Sequence, residues 1–158
     1  MRVIHLVRDG RDVLQSYVQK GSNWAAEGYR EEKPLRVERS LIGWNLANGL
    51  AWALGTTLRE DRYLRVHFEN LLDHPESVLH EIGSFVGEDL SSIIDRVRMD
   101  ESFPVGHNVG GNRLRHKERV CLRRRKEESH RPGEELSRYQ RGLFALLGCW
   151  LNRGLGYT

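Results

Sequence analysis

The sequence predicts an α/β fold in which helices pack on a parallel sheet. Three observations carry that expectation: the β-branched run Val3-Ile4-His5-Leu6-Val7, a second run Tyr63-Leu64-Arg65-Val66-His67-Phe68, and stretches of helical apolar spacing between and after them. Strands alternating with helices are the pattern of parallel sheets joined by crossover connections. The 158-residue length fits one domain, and a hydrophobic fraction of 39% with 30% charged residues belongs to a folded globular chain, not a disordered one.

Val3–Val7 is near-continuously apolar, as strands are at the buried centre of a parallel sheet, and a chain opening on such a strand is expected to have lost elements upstream of it. The run passes into Arg8-Asp9-Gly10-Arg11-Asp12 and then a helix carrying Val13, Leu14, Tyr17 and Val18. Asp9 is the expected N-cap and Asp12 stands in the capping-box position. Gly21 to Pro34 is polar and broken by Gly21, Gly28 and Pro34, an excursion from the fold. Leu35 to Leu58 predicts a long helix with Leu41, Trp44, Ala47, Leu50, Ala51 and Leu54 as its inward stripe.

After the second strand, Pro75 opens a helix that runs to Val86, faces Val78, Leu79, Ile82, Phe85 and Val86 inward, and stops at Gly87. A short helix follows near Leu90 to Val97. From Ser102 to Arg131 the periodicity fades into a loop punctuated by Gly106, Gly110 and Gly111. Leu136 to Leu151 then reads as one helix packing Leu143, Leu146, Leu147 and Trp150.

The net charge of +3 permits a polyanionic partner without demanding one. Nine Arg or Lys stand against three Glu between Arg113 and Arg131, so most of the positive character lies there. Within that stretch Arg123-Arg124-Arg125-Lys126 reads first as a solvated face, then as a contact to an anionic substrate or cofactor. Nucleic acid is not expected, because Glu127 and Glu128 follow at once and no aromatic residues interleave. Cys121 and Cys149 lie far apart without a Cys-x-x-Cys or His cluster, so neither a disulfide framework nor a metal site is signalled. No transmembrane segment is expected, since no apolar stretch reaches the roughly 18 residues that cross a bilayer. With no signal peptide in view, the cytoplasm is the default compartment.

Ligands of open α/β sheets bind outside the C-terminal ends of the strands, and Arg8 stands at such an end. A guanidinium can grip a phosphate through two charge-assisted hydrogen bonds, and Ser16, two turns into the next helix, can add a hydroxyl to the same anion. The alternative is a surface or salt-bridged arginine beside an exposed helical serine. Asp9 and Asp12 suit helix capping better than an anion site.

Val3 to Ser16 resembles the second cofactor-binding motif of sulfotransferases that use 3′-phosphoadenosine 5′-phosphosulfate (PAPS): a strand, Arg-Asp-Pro-Arg-Asp, and a serine in the following helix. The resemblance implies that Arg8 and Ser16 hold the 3′-phosphate. Gly10 replaces the family proline, at an expected cost in loop rigidity. Tyr63 to Pro75 is similar to the family's strand ending in Tyr-Glu-Asp-Leu, with Phe68 in the tyrosine position beside the adenine and Asn70 in the aspartate position. His107 to Arg115 resembles a loop of bacterial members, His-x-x-x-Gly-Asn-Pro-x-Arg, that closes on the nucleotide; Gly111, Asn112, Arg113 and Arg115 then become cofactor residues, with Arg113 replacing the proline. Leu155-Gly156-Tyr157 resembles the family's usual ending, and the return of hydrophobic periodicity before it leads to the expectation that the natural C-terminus is present.

These resemblances imply a partial, P-loop-NTPase-like three-layer sulfotransferase fold with a parallel sheet core and many helices, residues 1–158 being the C-terminal portion of a single sulfotransferase domain. The implied reaction moves a sulfuryl group from PAPS to a hydroxyl or amine acceptor, without a metal. The family's 5′-phosphosulfate loop and its usual His or Glu base precede the Arg-Asp motif, and neither is found before Val3, so residues 1–158 alone are expected to be catalytically silent. His5, inside the strand, reads as a core or inter-strand histidine, and His107 as a residue that shapes its loop. The alternative function is a non-catalytic nucleotide-binding or structural/interaction remnant, the latter expected to be oligomeric; turnover would call for a partner that supplies the upstream half.

Overall fold

A computed structural model of the chain describes residues 1–20, 37–105, 118–122 and 132–158. They form a mixed α/β arrangement in two compact units: Met1–Leu6 with Thr57–Glu128, and Val7–Thr56 with Ser129–Thr158.

In the first unit β1 (Val3–Val7, its last residue belonging to the second unit) pairs in parallel with β2 (Tyr63–His67). His5 is buried, and its Nδ1 lies 2.6 Å from the Tyr63 hydroxyl, so it is an inter-strand core histidine. The expectation of a strand buried on both faces is corrected. His5 and Val7 point inward, whereas Ile4 and Leu6 are 42% and 51% exposed, because strand alternation places them on the face that the described residues leave uncovered. β2 ends one residue earlier than the apolar run predicts: Phe68 begins the short helix α3 (Phe68–Asp73) after His67, whose extended backbone forms its N-cap.

Helix α4 (Pro75–Val86) has the expected proline in its first turn and stops at Gly87, whose φ of 79° is the left-handed conformation that glycine adopts without strain. The Gly83 carbonyl accepts the N–H groups of Gly87 and Glu88 at 2.8 and 3.0 Å, and a Cβ on the buried Gly83 would lie 2.8 Å from the Glu88 carbonyl. Helix α5 (Ser91–Arg98) buries Ile94 and Val97, which join Val66 and Val78 as the buried apolar residues of this unit. The Asp89 carboxylate accepts from the Ser91 hydroxyl and backbone N–H at the start of α5, bonds that hold it below the usual carboxylate range. Inside the stretch read as loop, β3 (Phe103–Pro104) and β4 (Arg119–Val120) form an antiparallel ladder pairing Phe103 with Val120, and the Arg96 guanidinium sits 4.5 Å from the centre of the Phe103 ring. Strands of two residues are too short to leave a periodic signal.

The second unit is helical: α1 (Gly10–Lys20), α2 (Val37–Thr57, its last residue belonging to the first unit), α6 (Arg138–Leu147) and α7 (Cys149–Gly154). Its core is Val7, Leu14, Leu41, Trp44, Leu136, Phe144, Leu151 and Leu155. Two expectations change here. The predicted α2 stripe is inward only in part: Leu41 and Trp44 are buried, but Leu50 and Leu54 are 62% and 40% exposed. The predicted helix from Leu136 to Leu151 is two helices that break at Gly148, where a Cβ would meet the Phe144 ring at 2.8 Å and Leu41 at 3.0 Å. Phe144 and Leu151, seven residues apart and so on one face, are buried, and Leu143 packs against the core, while Leu146, Leu147 and Trp150 are exposed. Ser137 caps α6 in a full capping box with Gln140, an S-x-x-Q signal that the sequence carries.

Tyr139 on α6 donates its hydroxyl to Glu38 Oε1 on α2 at 2.6 Å, and this bond, then the carboxylate's charge, raises the phenol above its ordinary value. A raised pKa means that the folded state holds the proton more tightly. The contribution is therefore complete below the free-tyrosine value of about 10 and is lost as pH climbs through the raised value. An ultraviolet titration difference between wild type and Tyr139→Phe should show a phenol that ionises later than free tyrosine, and Glu38→Gln should return it to the ordinary range.

Candidate functional site

The Arg-Asp-Gly-Arg-Asp segment joins the end of β1 to α1, and the backbone chemistry of that junction decides what each side chain can do. Asp9 is the N-cap: its Oδ1 accepts the Arg11 N–H at 2.8 Å, and its carbonyl accepts the N–H groups of Asp12 and Val13, both at 3.1 Å. Its carboxylate is also gripped by the Arg11 guanidinium, with Nη2 2.6 Å from Oδ2 and Nε 3.0 Å from Oδ1. That hydrogen bond raises the Arg11 pKa above its usual value despite partial burial. Arg11 Nη2 also donates to the Thr158 oxygen at 2.7 Å. Asp9 is 2% exposed, so the pair is partly desolvated, and removing either member would leave the other's charge poorly compensated.

Asp12 works at long range as well, because its Oδ1 accepts the Gly133 N–H at 3.2 Å. Gly133 has a φ of 72°, and a Cβ there would meet Arg11 at 3.0 Å, so both conformation and space call for glycine. Arg8 Nη2 lies 3.8 Å from Asp12 Oδ2, an ion pair longer than a hydrogen bond. The Arg8 side chain is 41% exposed, whereas Arg11 is committed to Asp9 and Thr158. The Arg11 side chain is 32% exposed, and the Arg8 Nε is buried while the side chain as a whole keeps the larger exposed share.

Ser16 lies six residues into α1 and is half-buried, about 9 Å along the helix from its start. Arg8 and Ser16 belong to the second unit and Phe68, half-buried at the start of α3, to the first. Gly111, Asn112, Arg113 and Arg115 lie outside the described residues, as do His107, the Gly21–Pro34 excursion and the Arg123–Lys126 run. A cleft of about 340 Å³ in the second unit is lined by Arg11, Phe144, Asn152 and Tyr157 among others, and one of about 290 Å³ in the first by Leu79, Gly83 and Leu90 among others; neither is lined by Arg8, Ser16 or Phe68.

The residues that complete the junction were not legible as site residues. Asn152, 2% exposed on α7, accepts the Gly10 N–H on its Oδ1 at 2.9 Å and turns its Nδ2 to Asp9 Oδ1 at 3.4 Å. The Tyr157 hydroxyl donates to the Val7 carbonyl at 3.2 Å. Gly10, where the family motif has proline, spends its N–H on Asn152, and its Cβ position is occupied by the Trp44 and Phe144 rings, each 2.8 Å away. The expected loss of loop rigidity is therefore offset by a buried hydrogen bond that proline could not make.

Among the described residues, no helix is long and apolar enough to cross a membrane, and no cluster of three His, Cys, Asp or Glu side chains is placed to hold a metal. No curated protein and no solved structure matches the chain significantly. The model of the sulfotransferase family matches residues 1–92, a span that includes β1, the Arg-Asp-Gly-Arg-Asp segment, α1, β2 and α4, more than half of the sequence. This chain belongs to the sulfotransferase family.

Proposed function

We propose that the chain binds PAPS by its 3′-phosphate through Arg8 and Ser16, as the donor-holding part of a sulfuryl transfer to a hydroxyl or amine acceptor. PAPS supplies the activated sulfuryl group when bound. The observation that carries the reading is the division of labour between the two arginines: Arg11 is locked to Asp9 and Thr158, while Arg8 stands at the strand's C-terminal end with its side chain 41% exposed. The carboxylates that would repel an anion already serve other donors, Asp9 through Arg11 and Asn152 and Asp12 through the Gly133 N–H. Arg8 supplies charge and a planar pair of donors; Ser16 supplies a neutral hydroxyl that favours the same anion without neutralising it.

The resemblance alone extends the proposal to Phe68 for the adenine and to Gly111, Asn112, Arg113 and Arg115 for the nucleotide. No described residue is assigned as the base for the acceptor, since His5 is buried against Tyr63.

The test is calorimetric titration of residues 1–158 with adenosine 3′,5′-bisphosphate and adenosine 5′-monophosphate, which differ only in the 3′-phosphate. A clear preference for the bisphosphate is expected, and equal affinities would remove the assignment. Ser16→Ala should reduce bisphosphate affinity by about two- to tenfold, the range of one neutral hydrogen bond worth about 0.5–1.5 kcal/mol. Monophosphate affinity should stay unchanged in that variant.

A further inference from the structure

We infer that α7 and the residues after it position the anion-binding loop, with Asn152 the main positioning residue and Tyr157 its second pin. The inference rests on the reading of Arg8 as the 3′-phosphate ligand and adds the part of the chain that aims it.

The argument begins with what flanks Arg8. On one side the Val7 carbonyl accepts the Tyr157 hydroxyl at 3.2 Å. On the other, Asn152 bridges two consecutive residues, donating to Asp9 Oδ1 at 3.4 Å and accepting the Gly10 N–H at 2.9 Å. The pins come from positions 142 to 150 residues away along the chain and close on the Val7 and Gly10 backbone and the Asp9 carboxylate, the three residues around Arg8. Neither pin bonds to the Arg8 guanidinium itself, so the loop is fixed while the Arg8 side chain stays 41% exposed.

The chemistry at position 152 is selective. The side chain must accept from an N–H on one atom and donate to a carboxylate on the other, in a site 2% exposed. Asn meets both demands. Asp would keep the acceptor but set a second carboxylate against Asp9, and Leu would leave the Gly10 N–H unsatisfied. Leu151 and Leu155, both fully buried, seat α7 in the core and so fix the height from which Asn152 reaches the loop. A guanidinium that must meet a phosphate in two-point geometry is sensitive to small displacements of its backbone, so a loosened loop is expected to lose phosphate discrimination before it loses the fold.

The experiment compares wild type, Asn152→Ala and Tyr157→Phe by calorimetry with adenosine 3′,5′-bisphosphate and adenosine 5′-monophosphate, with circular dichroism and melting temperature recorded for each. The readout is the ratio of the two affinities, which a merely structural loss of folded protein does not move, since it lowers both ligands' signals together. The ratio is expected to fall about fivefold in Asn152→Ala and about twofold in Tyr157→Phe, a fraction of the loss that misaligned groups can cause. Tyr157→Phe removes one hydroxyl and keeps the ring, so it decides the matter if Asn152→Ala does not fold. Folded variants that keep the wild-type ratio overturn the positioning role while leaving Arg8 in place. A wild type with no preference for the bisphosphate overturns the reading of Arg8 and, with it, the role of these pins.

Discussion

Gly10→Pro, which restores the residue that the family motif carries, is expected to destabilise this protein by about 4 kcal/mol. Proline at the first position of a helix is ordinarily favourable, because the N–H it lacks has no partner within the helix. Here that N–H has a partner from outside. Gly10 donates to Asn152 Oδ1 at 2.9 Å in a buried setting, and proline would leave that oxygen unsatisfied at a cost of about 1–3 kcal/mol.

Proline also adds a Cβ where the Trp44 and Phe144 rings stand 2.8 Å from that position, and such overpacking costs about 1–3 kcal/mol. The two rings pack on each other with centroids 6.2 Å apart, and both are buried, so neither can swing away freely. For a chain of this size about 4 kcal/mol corresponds to a melting temperature lower by about 8–16 °C. Gly10→Ala separates the terms, since it adds the Cβ but keeps the N–H and should cost about 1–3 kcal/mol. In an Asn152→Ala background the hydrogen bond is already gone, so Gly10→Pro should cost less there than in wild type. A melting temperature unchanged or raised in Gly10→Pro would show that the loop does not depend on this glycine.

The same junction shows what the sequence could and could not reveal. β1 was legible because a β-branched run ends abruptly at Arg8 and Asp9, and α4 because proline and glycine bound it at Pro75 and Gly87. The place of Arg8 at the end of that strand was legible for the same reason. Its supports were not, since Asn152 and Gly133 meet the loop from 142 and 121 residues away, and nothing in local spacing records such a contact.

Helix α2 defeated the pattern for a different reason. Between Ser40 and Leu58 it carries no charged residue, so several apolar stripes fit equally well, and only packing selects Leu41 and Trp44 over Leu50 and Leu54. The break at Gly148 is likewise tertiary: the Phe144 ring and Leu41 fill the space a side chain would need, and the inward face keeps Leu143 but takes Phe144 and Leu151 in place of Leu146 and Leu147. Local chemistry announces strand ends and caps, whereas the choice among apolar faces belongs to the partners.

Arg8→Ala is expected to weaken binding of adenosine 3′,5′-bisphosphate by at least about tenfold while changing monophosphate affinity little, since a hydrogen bond to a charged group contributes about 1.5–3 kcal/mol. The fold should survive the change. The Arg8–Asp12 contact is 3.8 Å long, longer than a hydrogen bond, and the buried Asp12 keeps the Gly133 N–H on its Oδ1 when Arg8 is removed. Arg8→Lys keeps the charge but not the planar fork, so it should fall between wild type and Arg8→Ala. Raising ionic strength should shrink the wild-type preference and leave Arg8→Ala nearly flat, because screening acts on the charge that the variant lacks. Arg11→Ala provides the contrast within the same loop. Its guanidinium binds the buried Asp9, so its loss should appear first as a lower melting temperature. If Arg8→Ala kept the bisphosphate preference, or if both nucleotides weakened equally, the 3′-phosphate would have to be held elsewhere in the chain.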